Sequence, residues 1–292
     1  MARRSEVGER DDSDGLGGPA GPPASGVKSV EKALRILEVL AEGQGQIGVN
    51  EIGRTLGINK ATVSRILATL ARFGFVERDR ATDRYRLGLA YLRAGTAAVA
   101  SLGFVERARP ALARLVEATG ETVTLSVLDR DVALNVEQAT PAHRVVTMNW
   151  VGMRTPLHCS SDGKVLLAGM DDAGLGRFFE EDGLEALTSR TVVDPAELRA
   201  QIDQVRGLGY AVALEELEEG LNGTAAPVRV AGGAVVAALT VSGPAHRLTP
   251  ERVGELALVT REAAVRLSAE LGYSPARVLP AGRARPPTLT LP

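Results

Sequence analysis

The segment from Asn50 to Leu87 limits the possible folds more than any other part of the chain. Apolar residues within it recur at the spacing of one helix face: Val63, Ile66, Leu67 and Leu70. Asn59 is placed to cap this helix at its N-terminus. A shorter predicted helix, from about Asn50 to Leu56, precedes it and ends at Gly57, a residue suited to a helix C-terminus. Two helices joined by so short a turn predict a helix-turn-helix.

The face opposite to this apolar stripe carries small residues around one long cation. With residues placed at about 100° per step, the face and its flanks consist of Lys60, Ala61, Thr62, Ser64, Arg65, Ala68 and Arg72. Arg65 lies near the centre, where it could pair with a guanine while its small neighbours approach the base edges. Taken singly, Lys60 or Arg65 is explained equally well as a solvated surface residue.

A charged hairpin is predicted after Gly74. Residues Phe75 to Leu87 alternate between apolar and charged types around Asp79 to Asp83, which predicts a two-stranded wing. Its four arginines are candidate phosphate contacts: Arg78, Arg80, Arg84 and Arg86. The order helix, turn, helix and wing predicts a domain that binds double-stranded DNA.

Charge is divided unevenly along the chain. Residues 28–93 contain twelve lysines and arginines against seven aspartates and glutamates, a net charge of +5, whereas the whole chain has 34 against 36 and a net charge of −2. A basic N-terminal part favours nucleic acid as its partner. Aromatic residues are 3% of the chain and do not interleave with basic ones, so duplex DNA is favoured over RNA or single strands.

The length of 292 residues leaves room for about two domains. Residues 1–26 and 274–292 are rich in Pro, Gly and charge, and we expect a disordered arm and a disordered tail. No apolar run approaches the roughly twenty residues of a membrane span, and no signal-peptide pattern is present, which predicts a cytoplasmic protein without a membrane partner. One cysteine, Cys159, and three histidines predict no metal site.

The other periodic segments predict an α+β fold. Ser29 is a candidate N-cap for a first helix with an apolar stripe of Val30, Leu34, Leu37, Val39 and Leu40. A helix within 88–102 could pair with a second subunit, with packing inside the chain as the alternative. Further helices are predicted at Val105–Thr119, Asp194–Leu208 and Thr249–Leu271, and strands at Thr122–Leu128, Val132–Gln138, Arg144–Val151, Tyr210–Leu214, Thr224–Val230 and Ala234–Ser242. Hairpins followed by helices indicate a mixed or antiparallel sheet with flanking helices.

Four separated stretches resemble the IclR-type transcriptional regulators: SVEKALRILEVLAE, INKATVSRILATLARFGFVERD, TPLHCSSDGKVLLAG and GTAAPVRVAGGAVVAALTVSGPAHRLTPERV. The resemblance implies a winged helix-turn-helix over residues 27–87, a linker and dimerisation helix over 88–102, and a GAF-like effector-binding domain over 103–273. It also implies a homodimer or dimer of dimers on a palindromic operator, with a small-molecule effector and no cofactor. Repression is the commoner mode in that family, and we expect it here.

By position, the resemblance implies an effector pocket formed by Arg144, Thr147, Ser161, Asp162, Ala213, Gly223, Thr240 and Ser242. A helix beginning near Ser160 would offer free amides and a positive dipole end, which favours a carboxylate effector. Family members that bind small oxo-acids have Asp and Cys where this chain has Ala213 and Gly223, so we expect a larger, partly apolar carboxylate, for example an aromatic one, rather than glyoxylate or pyruvate. Asp162 could instead cap the helix, and Arg144 could be a solvated strand residue.

Two other classes of function stay open at this point. His158 beside Cys159 suggests a nucleophile and a base, but neighbouring residues on a strand point to opposite faces, which argues against an enzyme. A constitutive DNA-binding protein or an activator would use its C-terminal domain mainly to form oligomers, whereas a domain of this size favours ligand sensing.

Overall fold

The computed structural model describes residues 27–43, 45–142, 148–180 and 184–274. The predicted arm, nearly all of the predicted tail and two predicted pocket residues, Arg144 and Thr147, lie outside these described residues. The chain divides into two compact units, Met1–Ala97 and Ala98–Pro292. The domain boundaries at 87 and 102 stay predictions.

The described part of the first unit contains three complete helices and a two-stranded sheet. In chain order its elements are α1 (Lys28–Glu42), α2 (Val49–Leu56), α3 (Lys60–Arg72), β1 (Val76–Arg78) and β2 (Tyr85–Leu87). Gly57 ends α2 in the left-handed conformation with φ 64°, and β1 pairs with β2 in antiparallel register. The predicted helix-turn-helix and wing are therefore confirmed. A further helix, α4 (Ala90–Ser101), runs from the first unit into the second.

The predicted N-cap of α1, Ser29, is wrong. The helix begins at Lys28 with Val27 as its N-cap, and no side chain caps it, so Ser29 lies inside the first turn. The predicted apolar stripe is also wrong in its first half, because Val30 and Leu34 are 54% and 55% exposed. The core of this unit is small, and only the second half of α1, from Ile36 onward, packs into it.

The second unit is built on one six-stranded sheet. In chain order its elements are α5 (Val105–Thr119), β3 (Thr122–Asp129), β4 (Val132–Ala139), β5 (Arg154–Pro156), α6 (Ser161–Ala168), α7 (Asp172–Glu180), α8 (Pro195–Leu208), β6 (Ala211–Leu214), β7 (Leu221–Arg229), β8 (Val235–Pro244) and α9 (Pro250–Glu270). The strand order is β5-β4-β3-β8-β7-β6, and every neighbouring pair is antiparallel. Helices α5 and α9 cover one face, and α6 and α8 cover the other. The α+β class is confirmed, with an antiparallel sheet.

The cap residues of this unit agree with the sequence prediction. Asp194 accepts a hydrogen bond from Ala196 N at 2.9 Å, and Pro195 follows as the first helical residue. Thr249 accepts from Arg252 N at 3.4 Å at the start of α9. Each cap satisfies an amide that the first turn leaves without an intrahelical partner. None of the helices in the described ranges is long and apolar enough to cross a membrane.

The strand predicted at Arg144–Val151 is wrong over its described part, Met148–Val151, where no strand forms. Side chains bind the amides that a strand would use: Gln138 Oε1 accepts from Trp150 N at 2.6 Å, and Asn149 Oδ1 accepts from Val151 N at 3.2 Å. Gly152, with φ 86°, then turns the chain. The strand that pairs with β4 on the side away from β3 is the later segment β5.

Candidate functional site

Helix α3 presents one polar face to solvent. Asn59 Oδ1 accepts from Thr62 N at 2.8 Å and caps the helix, while Val63 and Leu67 are fully buried on the opposite side. The predicted reading residues on the outer face are exposed except Thr62, which is half-buried: Lys60, Ala61, Thr62, Ser64 and Arg65. The side chains of Lys60 and Arg65 form no hydrogen bond or ion pair with any residue that the structure describes. Both cations are therefore available to a nucleic acid.

The wing arginines differ in their availability. Three of the four predicted phosphate contacts form ion pairs within the unit: Arg78 with Asp83, Arg84 with Glu51, and Arg86 with Glu77. Arg80 forms none with the residues that the structure describes. Exposed pairs of this kind contribute about 0–1 kcal/mol, so a phosphate could replace the partner of Arg86. Arg84 has an additional structural contact, because its Nε donates to Gln46 O at 2.7 Å.

Gln46 stabilises the wing through side-chain hydrogen bonds, and the sequence analysis missed this residue. Its Nε2 donates to Asp79 Oδ2 at 3.0 Å, and its Oε1 accepts from Thr82 Oγ1 at 2.8 Å. Asp79 Oδ1 accepts from Ala81 N at 2.8 Å. The hydrogen bonds from Ala81 N and Gln46 lower the pKa of Asp79 below its ordinary value. These contacts join a loop to a hairpin 33 residues later in the chain, so no local pattern indicates them.

The second unit contains a pocket between the N-terminus of α6 and one end of the sheet. The space between its walls, including the part that is open solvent, amounts to about 440 Å³. Six predicted effector residues line it: Ser161, Asp162, Ala213, Gly223, Thr240 and Ser242. Strand register explains their proximity, because Gly223 lies opposite both Ala213 on β6 and Ser242 on β8.

The sequence analysis missed eight further lining residues: Thr124, Asn135, Trp150, Thr155, Ser160, Leu217, Leu221 and Asn222. Thr124 lies opposite Thr240 across β3 and β8, so it shares the pocket face of the sheet. The alternation of Thr122, Thr124 and Ser126 along one strand was the signal that could have indicated it. Trp150 gives the pocket one aromatic wall residue.

The first turn of α6 has two free amides. Ser160 caps the helix by accepting from Gly163 N at 3.2 Å. Within the described residues, no acceptor binds the amides of Ser161 and Asp162. Helix N-termini attract anions because their amides are unpaired and the helix dipole is positive there. The pocket therefore offers two donors for an anionic group.

Asp162 places a carboxylate in this pocket. Its Oδ1 accepts from Gly163 N at 3.0 Å, which is a capping contact, and its Oδ2 accepts from Ser126 Oγ at 2.8 Å. The residue is 6% exposed. Among the lining residues that the structure describes, Asp162 carries the one formal charge. The structure thus supports the capping role considered for Asp162 and also places its side chain at the pocket.

Four lining hydroxyl groups have no hydrogen-bond partner in the described part of the chain: those of Thr124, Ser161, Thr240 and Ser242. Thr240 Oγ1 is completely enclosed, and Thr240 as a whole is 6% exposed. Buried polar atoms in folded proteins are normally paired. This group of hydroxyls is consistent with a ligand site.

A buried ion pair lies beneath the pocket. Lys164 Nζ, on α6, lies 2.6 Å from Glu216 Oε1 and 2.7 Å from Oε2. Burial lowers the pKa of Lys164 and raises the pKa of Glu216, in each case against the attraction between the two charges. Thr191 Oγ1 donates to Glu216 O at 2.7 Å. These bonds fix the segment whose next residue, Leu217, forms part of the pocket wall.

His158 and Cys159 do not form a nucleophile and base pair. His158 Nε2 donates to Glu185 O at 2.9 Å. Burial raises the pKa of the Cys159 thiol to about 12, so the thiol is protonated at neutral pH and unreactive as a nucleophile.

Comparison with known proteins identifies the family. A model of the IclR helix-turn-helix domain matches residues 29–80, and a model of the C-terminal part of bacterial IclR transcriptional regulators matches residues 96–269. The chain belongs to the IclR family. Proteins of the IclR family are DNA-binding transcriptional regulators and not enzymes, so the catalytic alternative is excluded.

Relatives within the IclR family extend over most of the chain. The HTH-type transcriptional regulator BhcR of Paracoccus denitrificans (strain Pd 1222) is 37% identical over 86% of this chain and 90% of its own. The crystal structure of an IclR regulator from Alicyclobacillus acidocaldarius has a TM-score of 0.75 at 30% identity, covering 84% of this chain and 99% of its own. An IclR homologue from Microbacterium hydrocarbonoxydans, solved with 4-hydroxybenzoate, has a TM-score of 0.73 at 26% identity, covering 84% and 100%. IclR regulators thus bind small-molecule effectors.

Proposed function

We propose that this regulator is a repressor whose affinity for a palindromic operator is set by a carboxylate effector bound in the pocket of the second unit. The observation that carries the proposal is the pocket itself, with two free amides of α6 facing unpaired hydroxyls of the sheet. Such a regulator acts where the chromosome is, in the cytoplasm. The alternative is a constitutive regulator whose second unit only forms oligomers.

The proposed DNA contacts fall into two groups. Lys60, Ala61, Thr62, Ser64 and Arg65 would enter the major groove on α3, with Arg65 pairing with a guanine. Arg80, Arg84 and Arg86 would bind phosphates from the wing. To bind a phosphate, Arg84 and Arg86 would have to break their ion pairs with Glu51 and Glu77. Arg80 forms no ion pair within the described residues, so it is favoured as the main wing contact.

Exposed apolar residues of the first unit support dimerisation. Leu89, just before α4, and Leu92, on α4, are 72% and 68% exposed. Large apolar side chains clustered on a surface favour a protein partner. A dimer that holds two reading helices would bind two half-sites of a palindrome.

The pocket favours an effector that is larger than a two- or three-carbon oxo-acid. The amides of Ser161 and Asp162, with the hydroxyls of Thr240 and Ser242, would bind the carboxylate. Leu217, Leu221, Ala213, Gly223 and Trp150 would contact the hydrocarbon part. The 4-hydroxybenzoate complex of the Microbacterium homologue supports an aromatic acid. Arg144 and Thr147 complete the proposed set and lie outside the described residues.

Control of DNA binding requires that the effector bind one state of the dimer more tightly than the other. The helix α4 joins the two units in the chain and is therefore the proposed route of coupling. The coupling free energy is then the difference between the effector's affinities for the two states.

Selection of duplex DNA from a random pool by the purified protein tests the proposal. The selection is run with and without a mixture of aromatic and aliphatic carboxylates. A palindromic motif whose enrichment falls with the mixture is the expected result. An enriched motif that no carboxylate affects would support the constitutive alternative. A thermal-shift titration that saturates with glyoxylate or pyruvate would contradict the proposed effector size.

A further inference from the structure

The buried carboxylate of Asp162 has too few hydrogen-bond donors. An ionised carboxylate has about four lone-pair sites and accepts only. Oδ1 shares the amide of Gly163 with the cap residue Ser160. Oδ2 shares the hydroxyl of Ser126 with Asn135 Oδ1, which lies 3.1 Å from Ser126 Oγ. A hydroxyl has one hydrogen, so it serves one of these two acceptors at a time.

The orientation of the Asn135 amide does not remove this deficit. Asn135 Nδ2 donates to Met153 O at 3.4 Å, and the reverse orientation would set two acceptors against each other there. Asn135 and Asp162 both line the pocket. The pocket therefore contains an acceptor that no donor of the described residues satisfies fully, in a position that a ligand can reach.

Asp162 has an anion-binding group beside its carboxylate. Its own backbone amide and that of Ser161 are free, so one residue offers a donor to an anion and an acceptor to a hydroxyl. A ligand that binds both the amide and the carboxylate of Asp162 must carry its hydroxyl group close to its own carboxylate. Thr240 Oγ1, enclosed and unpaired on the facing strand, is a second, independent sign that a polar ligand fills this space.

We infer that the effector is a hydroxycarboxylate whose hydroxyl group, close to its carboxylate, donates a hydrogen bond to Asp162. The inference rests on the proposed function, since it names the class of effector for that pocket. The ligand's hydroxyl group also separates the ligand's carboxylate from that of Asp162, and these two groups would repel each other in direct contact. A site built for a hydroxyl rejects the analogue without it, because its own polar group is then left unpaired.

Calorimetric titration of the full-length protein with matched pairs of acids tests the inference. Each pair differs in one hydroxyl close to the carboxylate: 2-hydroxyisovalerate and isovalerate, 3-hydroxybutyrate and butyrate, mandelate and phenylacetate. In at least one pair, the hydroxylated acid should bind five times more tightly or better, a ratio equivalent to about 1 kcal/mol. A smaller ratio in all three pairs, or no binding of any hydroxylated acid, overturns the inference.

The variant Asp162→Asn assigns the contact. An amide can still accept from Gly163 N and can donate to Ser126 Oγ, so the local bonds are preserved. The preference for the hydroxylated acid should fall at least threefold, while the acid without hydroxyl should bind equally well or better, because a like charge is removed. An unchanged preference would overturn the role of Asp162.

Asp172→Asn is the matched control. Asp172 also lies in the first turn of a helix, α7, but its side chain is 100% exposed, so the preference should not change. If Asp162→Asn fails to fold, the pairs measured on the unmodified protein still decide. The DNA selection separates the two proposals: equal binding of both members of each pair, with carboxylate-dependent DNA binding, would leave the proposed function intact and overturn the hydroxyl contact.

Discussion

Breaking the pair between Lys164 and Glu216 should destabilise the second unit strongly. The Lys164 side chain is 2% exposed and that of Glu216 is 10% exposed. Removing one partner of a buried pair leaves the other charge in a low-dielectric site, which costs about 3–5 kcal/mol. For a unit of this size we expect the melting temperature of Lys164→Met to fall by about 6–20 °C.

Replacing both partners should restore most of this loss. In Lys164→Met/Glu216→Leu no charge remains buried, and such replacements are often neutral or stabilising by about 1–4 kcal/mol. Arg266→Met is the control, because Arg266 pairs with Glu262 one turn away and both side chains are more than half exposed. Its effect should stay below about 1 kcal/mol.

The variants Lys164→Met and Glu216→Gln, which each remove one partner of the pair, should respond to pH in opposite directions. Burial raises the pKa of Glu216, and loss of Lys164 removes the attraction that opposes this rise. When the pKa of a group is higher in the folded state, the group contributes stability at a pH below its ordinary pKa. That stability is lost as the pH rises through the folded-state pKa. Lys164→Met should therefore be less destabilised at pH 5 than at pH 8. Burial lowers the pKa of Lys164, so Glu216→Gln should be less destabilised at pH 9.5 than at pH 7.

Urea unfolding followed by the fluorescence of Trp150 measures these differences. Trp150 is the single tryptophan of the chain and lies in the second unit, at the pocket. Two results would refute the reasoning: single variants that lose less than about 1 kcal/mol, as an exposed pair would, or a double variant Lys164→Met/Glu216→Leu that is no more stable than Lys164→Met.

The remaining predictions concern DNA contacts, pocket volume and thiol reactivity. Arg65→Ala should relax base preference, whereas Arg80→Ala should weaken binding to all sequences and reduce the salt slope by about 1; equal losses on selected and random duplexes for both would contradict this. Gly223→Cys should weaken binding of an aromatic carboxylate in a calorimetric titration, because a Cβ there lies 3.4 Å from Ser161 Oγ and from Ser242 Cβ, which both line the pocket. At Gly176, the control, an added Cβ meets nothing within 4 Å. Cys159 should react with a thiol reagent at pH 8 only after unfolding, since burial raises its pKa to about 12; rapid reaction of the native protein would contradict its burial.

Elements whose signals are local could be predicted from the sequence. The bounds of α5, Val105–Thr119, agree with the prediction, because an apolar stripe ends there at Gly120, which adopts φ 70°. Helix α8 begins and ends where Asp194, Pro195 and Gly209 predict. In each case the residues that form the cap lie next to the helix in the sequence, so a short window contains all the information.

Features that depend on distant partners could not be predicted. Lys164 and Glu216 are 52 residues apart. From the sequence alone, each would be interpreted as an exposed charged residue. The error in α1 has the same origin: Val30 and Leu34 have helical spacing, but whether a stripe is buried depends on how far the neighbouring core extends. Spacing indicates which residues share a face, not which part of that face is covered.

The pocket shows how these two kinds of information combine. Alternation along β8 places Thr240 and Ser242 on one face, and this follows from the sequence. Which residues stand opposite them depends on the pairing of β8 with β3 and β7, which sets Thr124 against Thr240 and Gly223 against Ser242. The polarity of a ligand site built on a sheet therefore depends on strand register. One strand supplies some of the hydrogen-bond donors, and the register of its partner strands determines whether a hydroxyl, a glycine or a hydrocarbon side chain lies opposite each of them. For this regulator the register places unpaired hydroxyls at the same pocket as free helix amides, and the proposed class of effector rests on this arrangement and not on any one motif.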